Sequence, residues 1–161
     1  MRMKKLLKPG YCTRMFSVLL ACAFLCISCT LEVGDIVRDY GTRCQVAALD
    51  ADGKPSLFLA TEVTTNITAD SAYRWAATVG DGTWQVPSSQ QIQQLAQCRS
   101  ALNAVRNREH LPLVMEPTRF YWTSTPAGPQ HIFAWGPLGV RPYFTQDAAY
   151  IGLAVKVVRE Q

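Results

Sequence analysis

Residues 82–95, GTWQVPSSQQIQQL, constrain the fold of this chain more than any other segment. Pro87 precedes Ser88, and Gln91 follows three positions after Ser88, which is the Ser-x-x-Gln capping box of a helix N-terminus. The apolar residues that follow recur at helical spacing on one face, namely Ile92, Leu95, Cys98 and Leu102. The sequence therefore predicts a helix that begins after Ser88, packs on a core through this face and exposes its glutamines.

Segments with strand character lie on both sides of this helix. Residues 43–49 and 56–61 flank the turn residues 50–53 and predict a β-hairpin. Residues 70–77 predict a short helix. After the central helix, strands are predicted at residues 120–125, 131–135, 140–145 and 150–159. We therefore expect an α+β domain, with two helices packed on a small, mainly antiparallel sheet in which the N- and C-terminal strands pair.

The N-terminal segment has the composition of a secretory signal. Residues 1–14 contain five basic and no acidic side chains, and residues 15–28 are an apolar run. As a helix this run spans about 21 Å, which is too short for the roughly 30 Å core of a bilayer. Residues 26–29, CISC, resemble a bacterial lipobox, in which Cys29 becomes the lipidated first residue. A plain signal cleaved elsewhere and a retained anchor are the alternatives.

This interpretation divides the chain into three parts. We expect a signal peptide at residues 1–28, a lipidated cysteine with a short tether at residues 29–32 and a single domain at residues 33–161. The full chain has a net charge of +4, but the five basic residues before Cys29 leave with the signal, so that 11 Lys and Arg remain against 12 Asp and Glu. The domain also lacks a basic patch with interleaved aromatic residues. We therefore expect no nucleic-acid partner.

Two cysteines besides Cys29 remain after cleavage, Cys44 and Cys98. Cys44 shares a strand face with Val46, and Cys98 shares a helix face with Ile92, so both are expected to point inward. An exported domain occupies a compartment in which disulfides persist. A Cys44–Cys98 disulfide and two buried free thiols are both compatible with this pattern.

The sequence contains no recognisable catalytic or metal-binding pattern. A serine nucleophile such as Ser124 needs a base that a third group orients, and the two histidines, His110 and His131, lie in no recognisable context. A zinc site needs three or four ligands at characteristic spacing, which the scattered histidines and cysteines do not provide. Residues 50–53 resemble a calcium loop only in part, because no glutamate follows at the required distance. We expect no enzyme activity, metal or cofactor.

Three motifs together resemble a known family. Residues 84–88 read WQVPS, residues 121–124 read YWTS and residues 152–158 read GLAVKVV. In this order they are similar to the Lcl-type and fibrobacter-type domains of the C-type-lectin-like superfold, over residues 33–161. The resemblance implies that fold, and it implies that the fold-signature residues are Trp84, Pro87, Ser88, Gln91, Tyr121, Trp122, Ser124 and Gly152. The superfold also includes formylglycine-generating enzymes, but their C-terminal cysteine pair has no counterpart after Cys98.

The segment between the YWTS motif and the last strand is rich in aromatic rings. Strand alternation places His131, Phe133 and Trp135 on one face, with the small or aliphatic residues between them on the other. Arg141 and Tyr143 are expected to extend this ring-bearing face on the next strand. Aromatic residues with one arginine are typical of binding hot spots, and in diversified relatives the variable residues occupy this segment. The alternative is that the rings belong to the core.

Together these features predict a non-catalytic, lipid-anchored binding or adhesion module of the bacterial cell envelope. Thr30 follows Cys29 in place of the aspartate that retains lipoproteins at the inner membrane, so the outer membrane is the expected location. The ligand is expected to be a protein or a glycan. The alternative is a structural subunit of a fimbrial or envelope assembly, in which another protein buries the aromatic surface.

Overall fold

The computed structural model describes residues 30–158, and within them the chain forms nine strands and three helices. The strands are β1 (Ile36–Asp39), β2 (Thr42–Leu49), β3 (Pro55–Ala60), β4 (Thr64–Ile67), β5 (Tyr121–Gly128), β6 (His131–Gly136), β7 (Gly139–Phe144), β8 (Tyr150–Gly152) and β9 (Val155–Val157). The helices are α1 (Ala69–Ala76), α2 (Ser89–Gln97) and α3 (Arg99–Arg108). The expected signal peptide and Cys29 lie outside the described residues. None of the described helices is long and apolar enough to cross a bilayer.

The strands form two sheets. The first has the order β1-β2-β3-β9 and is antiparallel throughout. The second has the order β4-β8-β5-β6-β7 and contains one parallel pair, β5 with β8, where Tyr121 lies opposite Ile151. Residues 30–158 therefore have an α+β architecture with mostly antiparallel sheets, as the sequence predicts, although they form three helices and two sheets where two helices and one sheet are expected.

The strand order corrects two further details of the prediction. β1 and β9 lie at opposite edges of the first sheet and do not pair with each other. The predicted strand at residues 150–159 is divided into β8 and β9, which belong to different sheets. The chain changes sheets at Leu153 and Ala154, which are both fully buried. Residues 150–155, on both sides of this change, are all apolar and buried, so the pattern of apolar residues contains no signal for it.

The predicted hairpin forms between β2 and β3. The side chain of Asp50 accepts hydrogen bonds from the backbone N–H groups of Asp52 and Lys54, both at 2.9 Å. Gly53 completes the turn with a φ of +77°, which glycine adopts without steric cost. The turn thus forms by local hydrogen bonding.

The predicted capping box is present at the start of α2. Ser88 Oγ accepts from the N–H of Gln91 at 3.2 Å, and Gln91 Oε1 accepts from the N–H of Ser88 at 2.8 Å. The periodicity predicts a helix that continues through Cys98, whereas in the structure α2 ends at Gln97 and α3 begins at Arg99. Cys98 has a ψ of +9°, outside the α-helical range. This break accounts for the third helix.

Two apolar clusters fill the space between the layers. In one cluster Ile92, Leu95 and Leu102 of α2 and α3 are fully buried against the first sheet, as their spacing predicts. The other cluster joins α1 to both sheets and contains Trp84 and Trp122, which are also buried. Both tryptophans are therefore core residues.

Arg106 is a fully buried charged residue at the end of α3. Its guanidinium donates hydrogen bonds to the Oε1 of Gln45 at 2.8 Å and to the carbonyl oxygens of Pro112, Thr61 and Ala60. Burial lowers the pKa of the guanidinium to about 10, so that it remains protonated at neutral pH. Arg106 thus joins α3 to β2, to the end of β3 and to the loop that follows α3.

Candidate functional site

The residues of the expected ligand surface do not all share one face. Three of them occupy alternate positions of β6 and face the same side, namely His131, Phe133 and Trp135. The register of the hairpin places Tyr143 opposite Ile132 and Arg141 opposite Ala134. Directly opposite residues of an antiparallel pair point to the same side. Arg141 and Tyr143 therefore face the other side of the sheet, and the prediction that they extend the ring-bearing face is wrong.

Two residues of the expected ligand surface, Trp135 and Tyr143, pack against aromatic residues of the core. The ring of Trp135 is half-buried, and its centroid lies 5.8 Å from that of Tyr121. The ring of Tyr143 packs edge-on against Phe120 at 5.4 Å and against Tyr150 at 5.3 Å. Trp135 and Tyr143 thus border the two apolar clusters, in line with the alternative that some of the rings belong to the core.

The more exposed part of the expected surface lies along β7, an edge strand of the second sheet. Phe144 is 55% exposed, and its ring lies 4.3 Å from that of His131. Pro142 lies opposite Phe133. Because proline has no N–H, it interrupts the row of donors that an edge strand offers to another strand. A partner of this face would therefore contact side chains rather than extend the sheet.

Cys44 and Cys98 are free thiols in the structure. Cys44 is fully buried in the cluster that contains Trp84. The thiol of Cys98 lies 3.6 Å from the carbonyl of Ala47 and borders the other cluster. Burial raises the pKa of the Cys44 thiol to about 11 and also raises the pKa of Cys98. Both residues occupy apolar surroundings, and they contribute to different clusters of the core.

The signature motifs contact one another. The backbone N–H of Ser124 donates to the carbonyl of Pro87 at 2.8 Å, which ties the YWTS motif to the start of α2. Gly152 lies so close to β4 that a Cβ atom there would be 2.8 Å from Cγ2 of Thr64. The indole N–H of Trp84 is buried without a partner among the described residues. These residues hold elements together and line none of the larger cavities described below.

An open cavity of about 720 Å³ is lined by residues of both edge strands of the first sheet, β1 and β9, and we call it the Tyr40 pocket. Its polar residues are Asp39, Asp81, Thr83, Gln85 and Lys156, and its other residues are Tyr40, Val157 and Val158. They come from the end of β1 and the turn after it, from the segment between α1 and α2, and from β9 with the residue after it. The sequence analysis assigned no function to any of them.

Lys156 is the electrostatic centre of the Tyr40 pocket. Its Nζ donates to Asp39 Oδ2 at 2.6 Å and to Asp81 Oδ2 at 2.7 Å. The hydrogen bond from Lys156, together with those from the side chain and the backbone of Thr83, lowers the pKa of Asp81. Burial acts to lower the pKa of Lys156, but the two carboxylates outweigh it and raise that pKa. The ammonium is therefore held in its charged form and is a poor nucleophile.

Tyr40 occupies an unusual backbone position above this lysine. Tyr40 and Gly41 form the two-residue turn between β1 and β2, with φ values of +44° and +86°. A turn with two positive φ values favours Asn, Asp or Gly, whereas a bulky residue is strained there. The Tyr40 ring is 75% exposed, and Lys156 Nζ lies 4.8 Å from its centroid. The turn thus holds an aromatic ring over a cation at the mouth of the pocket.

The Tyr40 pocket opens next to the point where the backbone pairing between Gln85 and Val155 of β9 ends. Val155 exchanges two backbone hydrogen bonds with Gln85, at 2.8 and 2.9 Å. At Thr83 the chain turns away, because the backbone N–H and the hydroxyl of Thr83 both bond to Asp81. Val157 is therefore left exposed beside the cavity.

A second cavity, of about 810 Å³, adjoins the Tyr40 pocket. We call it the Lys54 cavity, after one of the residues that line it. It shares Asp39 and Val158 with the Tyr40 pocket and continues past Phe58 towards the turn at Asp50. The two cavities together form a groove along this side of the first sheet.

The arrangement in the Tyr40 pocket is suited to binding. It offers an aromatic ring, two carboxylates, an ammonium and the amide side chain of the exposed residue Gln85. Within residues 30–158, no group of three or more histidine, cysteine or acidic side chains is arranged to hold a metal ion. Lys156 lies 117 positions from Asp39 and 75 from Asp81, so no local motif could have indicated the cluster.

Comparison with known proteins does not assign the chain to a family or give a function to the Tyr40 pocket. Searches with protein-family models and against curated proteins found no match for the chain. The similarity to Lcl-type and fibrobacter-type domains therefore remains an expectation from the three motifs.

Proposed function

We propose that residues 33–161 form a non-catalytic ligand-binding module of the C-type-lectin-like superfold, anchored in the bacterial outer membrane by a lipid on Cys29. The Tyr40 pocket is the observation that carries the binding role. It combines an exposed aromatic ring with a few fixed polar groups in a cavity of about 720 Å³. Ligand sites of proteins commonly have this composition and a volume of about 300–1,000 Å³.

Two features support the superfold in this proposal. The architecture is α+β with two mostly antiparallel sheets. The motifs that suggest the family also contact one another, through Pro87 and Ser124, and their residues Trp84, Tyr121 and Trp122 are buried.

A ligand-binding role for the exposed rings of β6 and β7 is a second candidate function, favoured by the exposure of Phe144.

A variant that fills the Tyr40 pocket tests the binding role. Val157 lines the pocket and is exposed, so arginine at this position adds a long charged side chain beside the cavity without entering the core. We expect Val157→Arg to lower the affinity for cell-envelope material at least about tenfold, equivalent to about 1.4 kcal/mol. The measurement is co-sedimentation of the full chain, in detergent, with washed envelope fractions. Leu138→Arg is the control, because Leu138 is 77% exposed at the β6–β7 turn and does not line the pocket.

The same two variants distinguish the alternative function. A structural subunit that docks through the β6–β7 hairpin would lose binding on Leu138→Arg and retain it with Val157→Arg. That result would contradict the assignment to the Tyr40 pocket and favour the subunit of an envelope assembly.

Lipidation is tested by replacing Cys29. We expect Cys29→Ala to block lipid attachment, so that the protein moves from the detergent phase to the aqueous phase in a phase-partitioning experiment. Cys26→Leu is the matched control, since leucine is the usual residue at that lipobox position, and this variant should remain in the detergent phase. If Cys29→Ala partitions and is processed like the parent chain, the lipoprotein interpretation is wrong.

A further inference from the structure

We propose that the Tyr40 pocket and the Lys54 cavity together bind a neutral, linear oligosaccharide, with the ring of Tyr40 as the stacking platform for one sugar unit. This inference rests on the ligand-binding function proposed above and names the chemical class of the ligand. The observations that support it are the shape of the groove, the position of Tyr40 and the ion pairs of Lys156 with Asp39 and Asp81.

The groove has room for more than one sugar ring. Its two parts have volumes of about 720 and 810 Å³ and share Asp39 and Val158. Both parts are open to solvent along the same side of the first sheet. An elongated open groove suits a chain of linked units, whereas a single compact ligand would leave one of the cavities empty.

Tyr40 presents a flat apolar surface that the turn itself does not require. Asparagine or glycine would adopt the φ of +44° with less strain than tyrosine. Strained residues that are held in place by their surroundings concentrate at functional sites. The ring is 75% exposed, and Lys156 lies against it. The C–H face of a pyranose ring can pack against an aromatic ring presented in this way.

The charges of the pocket favour a neutral ligand with many hydroxyl groups. Lys156 is already paired with Asp39 and Asp81, so a charged ligand would have to compete for these contacts. A hydroxyl group both donates and accepts, and it can therefore bond to a carboxylate and to the ammonium without separating them. The exposed side chain of Gln85 adds a further donor and acceptor at the rim.

The edge of β9 is unsuited to an extended peptide. Both outward backbone groups of Val155 are already bonded to Gln85. β9 is only three residues long, from Val155 to Val157, so little free edge remains for an added strand. A peptide that binds by strand addition relies on a row of such main-chain bonds. The structure therefore favours side-chain recognition of a saccharide over strand addition.

The proposal is tested with a panel of neutral hexasaccharides: cellohexaose, chitohexaose (fully N-acetylated) and maltohexaose. Isothermal titration with the full chain in detergent should detect binding of at least one of them. Tyr40→Asn should weaken this binding at least about tenfold, while its melting temperature stays close to that of the parent, because the relaxed turn offsets the lost contact of the ring with Lys156. Tyr40→Phe, which keeps the ring, should bind like the parent.

Each other outcome has a defined meaning. If no hexasaccharide binds while Val157→Arg still lowers envelope binding at least about tenfold, the saccharide class is wrong and the pocket function stands. If Tyr40→Asn binds like the parent, the stacking role of Tyr40 is wrong. Raising NaCl from about 0.05 M to about 0.5 M screens ionic contacts and should leave hexasaccharide affinity nearly unchanged; a fall of about tenfold or more would instead indicate an ionic ligand contact and contradict the proposal.

Discussion

Replacement of Arg106 by methionine is expected to lower the free energy of unfolding by about 3–5 kcal/mol. Methionine fills much of the same volume but removes the donors for four buried or partly buried acceptors, which are the side-chain oxygen of Gln45 and the carbonyl oxygens of Ala60, Thr61 and Pro112. Each buried acceptor left without a donor costs about 1–3 kcal/mol. Removal of the buried charge offsets part of this cost, because burial already disfavours the protonated guanidinium.

The measurement for Arg106 is equilibrium unfolding in urea, in which the midpoint should fall while the slope stays the same. Arg108→Met is the matched control, because Arg108 lies in the same helix with 71% of its side chain exposed, and its effect should stay within about 0.5 kcal/mol. Arg106→Lys should be intermediate, since an ammonium lacks the planar fork of donors. A loss below about 1 kcal/mol for Arg106→Met would show that the network contributes little to stability.

Replacement of Trp122 by alanine is expected to destabilise the domain by about 3–5 kcal/mol, the range for truncation of a core aromatic residue. Trp122 is fully buried, and its ring centroid lies 4.5 Å from that of Tyr150. Its indole N–H donates to the carbonyl of Ile67 at 2.8 Å. Trp122→Phe should cost less than Trp122→Ala, because it keeps most of the apolar volume and loses mainly this hydrogen bond.

Phe144→Ala is the control for Trp122, because Phe144 is an aromatic residue of the same sheet that remains 55% exposed. Its substitution should cost less than about 1 kcal/mol. Thermal unfolding of both variants provides the comparison. Similar losses of stability in Trp122→Ala and Phe144→Ala would contradict the separation between a signature residue in the core and a ring at the surface.

The register of β6 and β7 was open to prediction from the sequence. Gly136 and Gly139 flank a loop of two residues, and a hairpin with such a loop places these glycines opposite each other. Counting outward from them puts Trp135 opposite Val140 and moves Arg141 and Tyr143 to the other face. The prediction used alternation within each strand but did not link the two strands through the turn.

Arg106 also left a signal in the sequence. It lies four positions after Leu102 and therefore on the buried face of the helix. A charged residue on an apolar helix face indicates either that the residue is buried with hydrogen-bond partners or that the apolar core ends at that position. The sequence does not distinguish these alternatives, because the acceptors of Arg106 come from β2, from the end of β3 and from the loop after α3, which are distant in the chain or irregular.

By itself the sequence determined the features that depend on neighbouring residues. The capping box of Ser88 and Gln91, the turn at Asp50 and the buried face of α2 follow from contacts within a few positions of the chain. The tertiary structure decided how the strands are shared between two sheets and how the Tyr40 pocket is assembled. Asp39, Asp81 and Lys156 meet because β9 joins the sheet that begins with β1, while the segment between α1 and α2 packs beside it. Such pairings depend on the burial of whole layers, and the apolar residues 150–155 fit more than one neighbouring strand equally well.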